Sequence, residues 1–307
     1  MDSKQYTPLT QSQMGIYLEC MDKKGELAYN LPYLYVFDKS LDGERFCKAV
    51  ETAIKAHPTL FTRLKLNGDE IPVMYIEEEP LSLKVEQFGG GDFKEYVKPF
   101  NLIGERLFHV NILEDGEHYY LLWDCHHIIN DGTSMQTLLH DIETAYEGGS
   151  IEPEAMTLAE EAERERALRE SDAREEGRKW YAENFDCEDL NTSLMPDQIP
   201  SCATTDFAER ELQIDLQQVE NFCKDNGIYK STLFTTAYAF MLARYNNEQA
   251  SLTRTVFNGR TDKRLGRTQG MFVKTLPFYC KFDDDTTVLD LLQVYLQFAL
   301  CKVCRCA

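Results

Sequence analysis

Two adjacent histidines, His126 and His127, followed by Asp131 and Gly132, are the residues of this sequence best suited to chemistry. An imidazole has an unperturbed pKa of about 6.5, so it can take a proton from an attacking amine or hydroxyl near neutral pH. A carboxylate four positions after His127 can organise the loop through a salt bridge or backbone contacts. A glycine beside it permits close approach that a side chain would block. Four specified residues at this spacing arise by chance on the order of once in a thousand chains of this length, or less. The plain alternative for one histidine at a strand end is a structural hydrogen-bonder. Metal binding by the pair is disfavoured, because adjacent residues on a strand point to opposite faces.

Such a motif needs rigid elements on either side. Before it, Tyr119–Cys125 alternates Tyr119, Leu121, Trp123 and Cys125 and is predicted to be a strand; after it, Thr133–Tyr146 carries Met135, Leu138, Leu139 and Ile142 on one helical face. Thr10–Cys20 reads as a short helix with Thr10 as N-cap, Leu31–Phe37 as a strand, and Leu41–His57 as a helix stopped by Pro58. Further strands are expected at Val73–Ile76, Leu81–Val85, Leu107–Leu113, Phe207–Ile214, Leu252–Phe257 and Leu276–Phe282. Further helices are expected at Gln217–Asn226, Ser231–Tyr245 and Val288–Val303. The stretch Glu152–Asp189 holds 14 acidic and 6 basic residues and reads as a solvated helix or helical linker, with Trp180 and Tyr181 docking its end. The elements alternate unevenly, so the fold class is mixed α/β, with a lobe boundary between residues 150 and 190.

The bulk numbers exclude several functions. The chain has 307 residues, is 43% apolar and carries a formal net charge of −20, which argues against binding nucleic acid or anionic membranes. No apolar run approaches the roughly 20 residues of a membrane span, and Met1 is not followed by a signal-peptide core; a cytoplasmic location is expected. Of the ten cysteines, Cys20, Cys47, Cys125, Cys187, Cys202, Cys223 and Cys280 are scattered and read as small hydrophobes. Cys301, Cys304 and Cys306 bunch without an evident fourth ligand, so no metal site is expected.

The segment His126-His127-Ile128-Ile129-Asn130-Asp131-Gly132 resembles the His-His-x-x-x-Asp-Gly motif of the condensation domains of nonribosomal peptide synthetases, whose superfamily includes chloramphenicol acetyltransferase-like enzymes. Pro8-Leu9-Thr10-Gln11-Ser12-Gln13-Met14-Gly15-Ile16-Tyr17 resembles the family's opening motif. His57-Pro58-Thr59-Leu60-Phe61-Thr62-Arg63-Leu64 resembles its second, with Phe61 in place of the usual Arg. Phe100–Leu102 and Leu107–Val110 are similar to the approach to the active-site strand. Gly270-Met271-Phe272-Val273-Lys274-Thr275-Leu276-Pro277 resembles the late Gly-Met-Phe-x-Asn-Thr-Leu-Pro element, with Lys274 replacing Asn.

The resemblance implies two chloramphenicol acetyltransferase-like lobes in a V, an N-terminal one over residues 1–175 and a partial C-terminal one over 176–307. It implies an acyltransferase that joins a thioester-bound acyl group to the amine of a carrier-bound amino acid. His127 would deprotonate or position the amine, with His126 beside it, and Asp131 would pair with an arginine, Arg260 first and Arg63 second. The Gly132 N–H would face the developing oxyanion. No bound cofactor is implied beyond the phosphopantetheine of a carrier protein, or CoA; the partners would be peptidyl or acyl carrier proteins and an adenylation domain. The opening motif near Met1 fits a starter domain or a donor arriving in trans, and the end after Pro277 fits a second lobe cut short. The alternatives implied are a stand-alone ester-forming acyltransferase, a truncated fold serving only as a carrier-docking module, and, as a minor case, an epimerisation domain.

A basic segment holds Arg254, Arg260, Lys263, Arg264 and Arg267 against Asp262 alone. It reads either as a solvated loop or as a seat for the phosphate of phosphopantetheine or CoA, with Arg264 and Arg267 as its ligands.

Overall fold

The computed structural model describes residues 5–22, 26–186, 190–191, 194 and 209–300. It divides into two compact units, Met1–Glu170 with Asn258–Lys274, and Ser171–Phe257 with Thr275–Ala307.

The first unit runs β1 (Thr7–Pro8), α1 (Gln11–Asp22), β2 (Asn30–Asp38), α2 (Gly43–Lys55), β3 (Thr62–Leu66), β4 (Pro72–Ile76), β5 (Val85–Gln87), β6 (Phe108–Glu114), β7 (His118–His126), α3 (Gly132–Glu147) and α4 (Leu158–Arg169). Its main sheet has the order β2-β7-β6-β5, and a smaller one the order β1-β4-β3. β7 is the central platform. It pairs antiparallel with β2, Trp123 opposite Tyr33, and with β6, Trp123 opposite Val110. Its last six residues are buried, so its C-terminal end is covered on both faces. Phe46, Val50 and Ile54 of α2 join Leu138 and Ile142 of α3 and Leu121, Trp123 and Cys125 of β7 in one core, where Trp123 stacks on Phe108 at 5.2 Å. That core fixes the strand end from which the motif projects.

Helix α1 starts as the Thr10 cap predicts. The Thr10 hydroxyl accepts from Gln13 N–H at 3.2 Å and the Gln13 side-chain oxygen accepts from Thr10 N–H at 3.0 Å, a reciprocal capping box.

The second unit contains α5 (Ala173–Asn184), α6 (Leu216–Asp225), α7 (Lys230–Tyr245), β8 (Ala250–Phe257), β9 (Lys274–Lys281), whose first residue is counted with the other unit, and α8 (Val288–Leu300). β8 pairs with β9, and Trp180, Tyr181 and Phe185 pack against a cluster that includes Ala239, Phe278 and Tyr295. Phe234, Tyr238, Met241 and Tyr245 form an exposed stripe on α7.

Three expectations need correction. Residues 81–84 are not a strand: the ladder begins at Val85, and Leu83 N–H donates at 2.6 Å to the Glu51 carboxylate instead of to a neighbouring strand. Residues 209–214 carry no strand either, while Phe207 and Ala208 lie outside the described residues. The acidic run is helical but not uniformly solvated. Glu161 and Glu165 of α4 are buried, paired with Arg164 and Lys274. Cys47, Cys125, Cys223 and Cys280 are buried; Cys187, Cys202 and the terminal trio Cys301, Cys304 and Cys306 lie outside the described residues. Among the described residues no helix is long and apolar enough to cross a membrane.

Candidate functional site

β7 ends at His126, a single 3-10 turn carries His127–Ile129, and Asp131 caps α3. Neighbouring elements hold the turn. His127 N–H donates to the Tyr29 carbonyl at 2.8 Å, and Gln13 Nε2 reaches from α1 to the Ile128 carbonyl at 3.0 Å.

The two histidines do different things. His127 is half-buried, and its Nδ1 lies 2.8 Å from the Asn130 carbonyl oxygen, which can only accept. Nδ1 therefore carries a proton, and in the neutral ring Nε2 presents the lone pair, the tautomer a general base requires. His126 is buried, and its Nδ1 accepts from Ile128 N–H at 3.2 Å. Its proton is then on Nε2, which faces the Cys20 sulfur at 3.7 Å. Burial first, and then the neighbouring His127, hold the His126 imidazole down to about 4, so it stays neutral and caps the turn. His126 and Cys20 also line a cavity of 470 Å³ together with Tyr17, Met21 and Phe100.

Asp131 is fully buried and its carboxylate meets four donors: Ser134 N–H at 2.8 Å, Phe272 N–H at 3.2 Å, and Arg260 through Nη1 at 2.7 Å and Nη2 at 3.1 Å. Such a bidentate pair fixes orientation as well as charge. Arg260 also donates to Ser134 Oγ and to the carbonyls of Leu265 and Thr268, and stacks over Phe272 at 4.5 Å. Asp131 is thus wholly engaged with the protein. Arg63 is elsewhere, paired with Glu77 at 3.1 Å and Glu79 at 3.0 Å.

Gly132 is the first residue of α3, where backbone N–H groups lack helical partners. A Cβ at Gly132 would meet no protein atom within 4 Å, so the fold itself does not demand glycine there. Gly259 differs: its φ is +77° and a Cβ would lie 1.7 Å from the Phe272 carbonyl oxygen.

Arg264 and Arg267 are both engaged by carboxylates. Arg264 is exposed and paired with Asp262 at 2.7 Å, whereas Arg267 turns inward to Asp141 of α3. The sequence reading gave no role to Asn130, Gln269, Ser134 or Gln13, all fully buried, which tie the motif to Asn258–Lys274 and to α1. Asn130 and Gln13 stand inside the recognised motifs, and that was the one available signal.

A family model, the condensation domain, matches residues 3–299. Bacitracin synthase 2 of Bacillus licheniformis is 27% identical over 290 residues, and tyrocidine synthase 2 of Brevibacillus parabrevis 25% identical over 305 residues. These alignments cover 90% and 96% of this chain but 11% and 8% of the relatives, so the chain spans about a tenth of their length. The first condensation domain of the CDA synthetase superposes with a TM-score of 0.75 at 17% identity, covering 95% of this chain and 75% of that one. The condensation domain of the monacolin K polyketide synthase superposes with a TM-score of 0.80 at 14% identity, covering 99% and 75%. The starter condensation domain of rhizomide synthetase, solved in complex with C8-CoA, has a TM-score of 0.73 at 19% identity, covering 95% and 70%. With its motif on the end of a central strand and a family match over nearly its whole length, this chain belongs to the condensation-domain family.

Proposed function

We propose that this chain forms an amide between a thioester-bound acyl donor and the amine of a carrier-bound amino acid. The observation that carries the reading is the 2.8 Å contact of His127 Nδ1 with the Asn130 carbonyl, which commits Nδ1–H and leaves Nε2 of the neutral ring as the acceptor. In the reaction the amine nitrogen attacks the thioester carbonyl carbon, the C–N bond forms and the C–S bond breaks. One amine proton passes to His127 Nε2 and from there to the departing thiolate, leaving a free thiol. The Gly132 N–H at the start of α3 is the donor assigned to the oxyanion. Asp131 and Arg260 hold the loop.

In this reading the donor sits on a carrier protein or CoA, in keeping with the C8-CoA named for the similar starter domain. An adenylation domain loads the acceptor carrier. The 470 Å³ cavity beside His126 offers apolar room for an acyl group. Of the two arginines assigned to the donor's phosphate, Arg264 has the more exposed side chain, and the phosphate must compete there with Asp262.

The test is an acyl-transfer assay with an acyl-loaded carrier or acyl-CoA and an aminoacyl carrier, comparing the chain with His127→Ala. Loss of the general base is expected to lower the rate at least about 100-fold. A folded chain whose amide-forming rate is unchanged by the substitution would sink the proposal.

A further inference from the structure

His57 is fully buried, yet both ring nitrogens meet carboxylates: Nδ1 lies 2.9 Å from Glu154 Oε1 and Nε2 lies 2.7 Å from Asp141 Oδ2. A carboxylate can only accept, so satisfying both places a proton on each nitrogen and makes the ring an imidazolium. Arg267 supplies a second positive charge to Asp141. Two cations and two carboxylates therefore balance in a buried cluster that joins the end of α2, helix α3, the stretch before α4 and the segment Asn258–Lys274.

The cluster continues to the motif. The same Glu154 Oε1 accepts from Gln269 N–H at 3.0 Å. The Gln269 side-chain oxygen accepts from Asn130 Nδ2 at 3.2 Å, and the Asn130 carbonyl is the group that receives His127 Nδ1–H at 2.8 Å. His57, Glu154, Gln269, Asn130 and His127 form one unbroken line of contacts, each between 2.8 and 3.2 Å.

We propose that His57 is a positioning residue for His127: the doubly bonded ring fixes Glu154, Glu154 fixes Gln269, and Gln269 holds Asn130 so that its carbonyl selects the His127 tautomer with Nε2 unprotonated. The catalytic half of this inference rests on the function proposed above; the structural half does not. A base misplaced by a fraction of an ångström loses rate without losing substrate affinity. Removing a link should therefore lower kcat while leaving KM for either carrier within about twofold, with a loss of roughly 10- to 100-fold.

The experiment reads His127 directly, by long-range proton–nitrogen NMR of nitrogen-15 histidine-labelled chain. The variants are His57→Gln, Glu154→Gln and Gln269→Met, with Val50→Ala as a core truncation away from the line. The wild-type chain and Val50→Ala should show the Nδ1–H tautomer of His127, and the three variants a mixture with the Nε2–H form. Gln269→Met leaves the ion cluster intact, so it serves if His57→Gln fails to fold. An unmoved His127 tautomer in Gln269→Met or Glu154→Gln overturns the inference, whatever the activity. A chain that transfers no acyl group but whose His127 tautomer responds would instead overturn only the proposed function.

Discussion

At the scale of single residues, β7 carries two titratable groups whose burial acts in opposite directions. Asp124 is buried and accepts from Asn30 Nδ2 at 2.8 Å. Burial raises its carboxyl to about 6 against the partial relief of hydrogen bonding from Asn30 and from the Lys98 backbone. A raised carboxyl gives stability that is present below its unfolded pKa and lost as pH rises through about 6. His126, held down to about 4, does the reverse: its contribution is full above about 6.5 and is lost as pH falls toward 4. The two largely offset each other in the native chain. Asp124→Asn removes one of them. The variant should be more stable than wild type near pH 8 by on the order of 2–3 kcal/mol, with the gain vanishing near pH 4. Urea unfolding at both pH values checks this, and a pH-independent difference would refute it. The pairing of Asp124 was not legible in the sequence, because its partner Asn30 lies 94 residues away and meets it only when β2 pairs with β7.

At the scale of elements, what the sequence allowed to be read is what local pattern specifies. The helices around Phe46–Ile54 and Met135–Ile142 and the strand before His126 follow from apolar period and caps. The strand expected at Leu81–Val85 failed because its leading residues found a side-chain acceptor, Glu51, that periodicity cannot foresee. The same blindness hid the buried acids of α4, whose partners include Lys274, more than a hundred residues away. Segment Asn258–Lys274 shows the limit most sharply. Residues 254–267 read as a solvated basic loop or a phosphate seat, whereas the segment that contains most of them clamps the motif, through Arg260 to Asp131 and through the Gly270 and Phe272 amides to Ser134 Oγ and Asp131. Arg260→Met should cost about 3–5 kcal/mol, since it strands a buried carboxylate. Hydrogen exchange should localise the damage, with the Gly270 and Phe272 amides losing protection. Unchanged protection there would show that the segment is held by its apolar contacts alone.

At the scale of the whole molecule, 52 acidic residues face 32 basic ones, and the formal net charge is −20. The ionic contacts fall into two groups that respond differently to salt. Asp131–Arg260 and His57 with its carboxylates are buried and poorly screened, while pairs such as Arg166–Glu163 and Arg178–Glu175 lie in solvent. Exposed pairs contribute little, so what salt mainly removes is the mutual repulsion of the chain's unbalanced acids. The screening length falls from about 30 Å to about 8 Å between 10 mM and 150 mM salt. Thermal unfolding should therefore move upward by a few degrees over that range. Arg260→Met should show the same salt slope from a lower starting point, because the interaction it lacks is hidden from the solvent. A midpoint that falls with added salt would mean that exposed ion pairs hold the chain together; a slope altered by Arg260→Met would mean that solvent ions reach the clamp beneath the motif.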